Sequence, residues 1–126
     1  MNKIRLDHEF PESIEQWGWK YHHLGIPTQK VMPNEVYLSQ FKLYVSGFNE
    51  SPFGIEWMRY EKDSPINILI QTIPHIAFEV ADLDFELANH DLKVITEPNS
   101  PGEGTRVAMI EHNGAPIELI EFMKNR

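Results

Sequence analysis

The sequence predicts an α+β fold made of two related halves, and three observations predict it. A histidine heads a short alternating apolar run twice, in YHHLGIPT (Tyr21 to Thr28) and in IPHIAFEV (Ile73 to Val80). Each half closes on an Ile-Glu-apolar strand, GIEWMRY in the first and PIELIEF in the second. Counting its two marker strands, the second half reads as strand, helix and three strands. His23 therefore corresponds to His75, and Glu56 to Glu118. His23 and Glu56 are 33 residues apart and His75 and Glu118 are 43 apart, a difference of about one short helix.

The elements follow in chain order. Residues 1–20 form an N-terminal extension in which Pro11 and Glu12 open a short helical turn and Trp17 and Trp19 need cover, which suggests an edge or lid role. After the first histidine strand, Pro27 and Pro33 interrupt regular structure, and QKVMPNEVYLSQ lacks helical periodicity. A loop is expected there in place of a helix. Glu35 to Phe48 is strand-like, rich in β-branched and aromatic residues. NESPFG has turn chemistry, IEWMRY is a short strand, and Glu61 to Gln71 is a boundary between halves. In the second half, Asp82 caps a helix that places Leu83, Leu87 and His90 at helical spacing. LKVITEP returns as a strand, NSPGEG turns, and Asn113-Gly114 joins TRVAMIEH to PIELIEF as a two-residue hairpin.

Composition bounds the chemistry. With 126 residues the chain is expected to be one domain, 1–126, with module one over about 21–60 and module two over about 73–122. The absence of cysteine removes disulfides, thiolate metal sites and thiol nucleophiles. A formal charge of −8 argues against nucleic acid and anionic membranes. No stretch reads as a secretory leader or a membrane span, so a cytoplasmic protein is expected.

Alternation along the strands sets where the polar groups point. Ile76, Phe78 and Val80 share one face, and His75, Ala77 and Glu79 the other; Ile117 and Leu119 oppose Glu118. In the first half, Leu24 and Ile26 oppose His23, and Ile55 and Trp57 oppose Glu56. All four polar groups can enter one cavity. A lone histidine at a strand start is commonly a hydrogen-bonded structural residue, but its repetition with a paired glutamate favours a site. His22 competes with His23, and alternation assigns it to the core side. Glu79 is a candidate partner for the His75 imidazole, although an exposed glutamate is the plainer reading. Glu121, His112, His8 and His90 read as surface residues, and Trp57, Phe78 and Phe85 as core. Met58, Tyr60 and Met109 can line the cup.

With HHLGIPT, GIEWMRY, HIAFEV and APIELIEF in this order, the chain resembles the vicinal oxygen chelate superfamily, which includes glyoxalase I, methylmalonyl-CoA epimerase, extradiol dioxygenases and the bleomycin and fosfomycin resistance proteins. The resemblance spans about residues 21–122. It implies two tandem βαβββ modules forming a curved mixed sheet around a cup, here with the first module lacking a full helix. It also implies that His23, Glu56, His75 and Glu118 are metal ligands. Two imidazoles and two carboxylates suit Zn²⁺, Ni²⁺, Co²⁺, Mn²⁺ or Fe²⁺. Such an ion polarises a substrate carbonyl and stabilises the enediolate left when the adjacent carbon loses a proton, with Glu118 or Glu56 as the catalytic base.

The leading expectation is thus a glyoxalase- or epimerase-type lyase or isomerase acting on a small-molecule substrate. A metal-free binding or resistance-type protein would use the same cup. An extradiol dioxygenase would need two histidines and one glutamate on Fe²⁺, leaving Glu56 without a purpose. Small curved sheets leave edges to cover, which suggests a homodimer.

Overall fold

The computed structural model describes residues 6–123; residues 1–5 of the N-terminal extension lie outside them. Eight strands follow one another: β1 (Lys20–Pro27), β2 (Val36–Leu38), β3 (Leu43–Ser46), β4 (Ile55–Tyr60), β5 (His75–Glu79), β6 (Lys93–Gly102), β7 (Thr105–His112) and β8 (Ala115–Phe122). They form one curved mixed sheet in the order β2-β3-β4-β1-β5-β8-β7-β6. In each half the first strand pairs in parallel with the fourth, β1 with β4 and β5 with β8. An antiparallel ladder between β1 and β5 joins the halves. The duplication read from the histidine strands is therefore a duplication of topology.

The described residues also hold three short α-helices, α1 (Glu12–Glu15), α2 (Ile68–Thr72) and α3 (Leu83–Asn89), and a 3-10 turn at Phe48–Glu50. None among the described residues is long and apolar enough to cross a membrane. Helix α3 lies between β5 and β6 as expected, with Asp82 accepting a hydrogen bond from the Phe85 amide at 3.1 Å. Its counterpart between β1 and β2 is missing, and residues 28–35 pass around Pro33 without helix. The segment read as a boundary carries α2, where the Asn67 side chain accepts from the Leu69 amide at 2.8 Å. A propensity reading misses it because it is only five residues long and is fixed by burial of Ile70.

The main hydrophobic cluster packs between the sheet and α3. Trp19, Phe78, Val80, Leu83, Ala108, Ile110 and Leu119 form it under α3. Each fully buried Leu contributes about 1.5–3 kcal/mol, and Leu83 and Leu119 are completely covered. Phe85, expected in the core, is instead 55% exposed, because the turn of α3 that buries Leu83 points Phe85 outward. The N-terminal segment also belongs to this side and is no lid. Trp19 donates to Glu86 Oε1 at 2.8 Å, and Trp17 stacks on His90 at 3.8 Å. His90 is therefore a packed residue, hydrogen-bonded to Glu86 at 3.1 Å, where a surface position was expected. Glu121 is likewise engaged, accepting from the Leu83 amide at 2.9 Å at the start of α3.

Two turns complete the comparison. Asn113 and Gly114 both have positive φ, 51° and 86°, and make the hairpin between β7 and β8. NSPGEG does not turn as a unit. Strand β6 runs on through Pro98 and Pro101 to Gly102, and the reversal waits for Glu103 and Gly104. A proline can sit there because β6 is an edge strand, where a missing N–H breaks no ladder bond.

Candidate metal centre

The register of the central strands assembles the site in two rows. Across the first, His23 on β1 faces Ala77 on β5, and Ala77 faces Glu118 on β8. Across the second, Glu56 on β4 faces Gly25 on β1, and Gly25 faces His75 on β5. Residues in register on neighbouring strands project to the same side, so all four polar groups enter the concave face. Each histidine thus lies opposite a small residue of the other half, and that small residue stands two positions after the other histidine. The His75 imidazole occupies the space that Gly25 leaves.

The fit at Gly25 is close. A Cβ added there would lie 2.6 Å from Nε2 and 2.7 Å from Nδ1 of His75, and nearer still to Cε1. His75 is 2% exposed and its Nδ1 has no hydrogen-bond partner among the described residues. Glu79, weighed as an orienting partner for it, lies four residues further along β5, opposite Lys20.

Nε2 of His75 is 3.0 Å from Oε1 of Glu118, and Nε2 of His23 is 3.3 Å from the same oxygen. One donor atom from each of these three residues falls within 4.8 Å of the others. With metal–ligand bonds of about 2.1 Å, two donors at a right angle are about 3.0 Å apart and two at the tetrahedral angle about 3.4 Å apart. The spacing and the donor set, two imidazoles and a carboxylate, suit a divalent ion of borderline hardness. Glu56 lies 3.4 Å from Nε2 of His23 but outside the mutual grouping of the other three.

His22 departs from simple alternation. The β1–β5 register slips between Tyr21 and His23, and this bulge turns both imidazoles to one side. Their Nδ1 atoms meet at 2.8 Å, and His22 stacks on Phe48 with ring centroids 5.1 Å apart. When His23 Nδ1 donates to His22, the Nε2 lone pair of His23 is left to face the cup. Nothing in the sequence marks the bulge.

The electrostatics divide the two carboxylates. Burial works to raise the pKa of Glu118, but hydrogen bonding from His23 and His75 outweighs it and holds the carboxyl down at about 2. Burial also raises the pKa of Glu56, and there it prevails over the attraction of His23 and His75, helped by the repulsion of Glu118. Burial lowers the pKa of His23, while hydrogen bonding and charge from Glu118, together with the charge of Glu56, carry it above the ordinary 6.5.

A pH dependence follows. An ion can bind His23 only after Nε2 has lost its proton, so the proton competes with the metal below the raised pKa. Divalent-ion affinity is expected to increase about tenfold per pH unit up to that pKa and then level off. Calorimetric Co²⁺ titrations from about pH 5.5 to about pH 8.5 check this, and flat affinity across the range would exclude His23 as a ligand.

No protein-family model matches the sequence, and a search of curated proteins finds no match. Solved structures share the fold, and two of them show how far the likeness goes. One is a hypothetical protein from Bacillus halodurans, with a TM-score of 0.64 and 20% identity over 86% of this chain and 97% of that one. The other is methylmalonyl-CoA epimerase from Mycobacterium tuberculosis, with a TM-score of 0.59 and 19% identity over 83% of this chain and 89% of that one. At these identities the likeness is one of architecture, a curved sheet around a cup.

Proposed function

We propose that this protein is a metal-dependent isomerase or lyase that moves a proton on the carbon next to a substrate carbonyl. The observation that carries this reading is the division between its two carboxylates. Two carboxyl groups whose environments push their pKa values apart take different roles. Glu118, held ionised between two imidazoles, suits a ligand; Glu56, made more basic by burial, suits the acceptor of a carbon-bound proton. His23, His75 and Glu118 would hold a divalent ion, which would supply Lewis acidity toward the carbonyl oxygen. The cup walls hold the substrate body and exclude water, and Glu56 takes the proton and returns it. Glu56 also borders a neighbouring cavity of about 170 Å³ in which Asn34, Ser46, Asn49 and Glu50 share the lining with Val36, Val45 and Phe48. The shared architecture with an epimerase supports this class of reaction.

The test is solvent deuterium exchange into an α-hydroxyketone, followed by NMR with Co²⁺- or Ni²⁺-loaded protein. Glu56→Gln is expected to keep about one ion per chain and to lose exchange by about 10²–10⁴-fold. Exchange that survives in this variant would remove Glu56 from the mechanism.

A second reading has its own observation. Two histidines and one carboxylate, with Glu56 outside their grouping, also match the facial triad of non-haem Fe²⁺ oxygenases. Oxygen uptake by Fe²⁺-loaded protein with a catechol, in the absence of proton exchange, would favour that chemistry.

A further inference from the structure

We infer that the cup takes a compact, uncharged hydroxyketone with an aryl or branched-alkyl body, and neither an anionic ligand nor a large thioester. The oxygen pair of this ligand rests on the proton-transfer reading above; its size and neutrality rest on the walls alone.

The cavity on the concave face measures about 190 Å³. A cavity of about 150 Å³ holds a benzene molecule, so this one takes a ring with a short substituent. Leu38, Leu43 and Val45 from one half and Val107 and Met109 from the other form its sides, with Met58 between them. His23, His75, Glu56 and Glu118 lie at its floor.

No lysine or arginine lines it among the described residues. Nearby cations are committed elsewhere. Arg59 binds both oxygens of Glu35, at 2.8 and 2.7 Å, and lies 4.1 Å over the Tyr44 ring. Lys42 pairs with Asp63, and Arg106 with Asp84. A phosphate or carboxylate on the ligand would be buried against apolar walls with two carboxylates below it, which is costly for an unpaired charge. Neutral hydroxyls on Tyr60 and Thr96 line the cup and can recognise a ligand oxygen. Tyr60, whose hydroxyl has no hydrogen-bond partner among the described residues, stands on β4 two positions after Met58 and four after Glu56, on the cup side of the strand.

The test is calorimetric titration of metal-free and Co²⁺-loaded protein with hydroxymethyl phenyl ketone, with its para-carboxylate counterpart, and with acetyl-CoA. The neutral ketone is expected to bind at least about tenfold more tightly than either anion. Leu38→Lys, which puts a cation on the apolar wall, is expected to narrow or reverse the preference for ketone over para-carboxylate. Equal or tighter binding of either anion by the unmodified protein, or no binding of the ketone to either form, would overturn the inference. If Co²⁺ does not bind, the proton-transfer reading fails. Preferential binding of the ketone by metal-free protein would still uphold the argument from the walls.

Discussion

Gly25→Ala is expected to weaken divalent-ion binding by at least about 100-fold while the chain still folds. The added methyl group would overlap the His75 imidazole, which is itself enclosed and cannot move aside without disturbing β5. Overpacking of this kind costs about 1–3 kcal/mol, which a domain of ordinary stability survives. The metal site is less tolerant, since tilting the ring carries Nε2 away from its 3.0 Å approach to Glu118. Gly102→Ala is the control, because a Cβ there meets nothing within 4 Å. Parallel Co²⁺ titration and circular dichroism check both variants. Wild-type affinity in Gly25→Ala would show that close packing over Gly25 does not set the position of His75.

Glu118→Gln is expected to abolish stoichiometric ion binding at a stability cost of about 1–2 kcal/mol. The amide keeps the shape of the carboxyl group but cannot supply charge to both imidazoles. Glu118 is the common neighbour of His23 and His75, so it organises the floor of the cup even without an ion. With that charge gone, burial is left to lower the pKa of His23, opposed only by the charge of Glu56. The variant should therefore bind fewer protons near neutral pH as well as no metal. Metal analysis and an NMR titration of the His23 ring read these two effects separately. One ion per chain at undiminished affinity would place Glu118 outside the ligand set.

The sequence and the structure agree where a short pattern determines geometry. Strict alternation put His75, Glu118, His23 and Glu56 on one face, and the duplicated spacing brought the two histidine strands into correspondence. Asp82 and Asn113-Gly114 act through local chemistry and were equally legible. What escaped depends on tertiary context. The bulge at His22 arises from pairing between distant strands, and α2 is held by burial more than by propensity. Phe85 is outside because a helix of seven residues can bury only one narrow stripe. One missed signal was present. Gly25, two positions after His23, marks where the opposite imidazole must fit.

The outer strands carry a further consequence. At one edge of the sheet, β2 has only three residues; at the other, β6 slips register three times and contains two prolines. Neither offers a flat row of backbone donors and acceptors on which another chain could template a strand. The curved sheet is thus protected against open-ended growth into fibrils. Both ends of the sheet therefore stop strand pairing at the backbone level, by shortness at β2 and by slipped register and proline at β6.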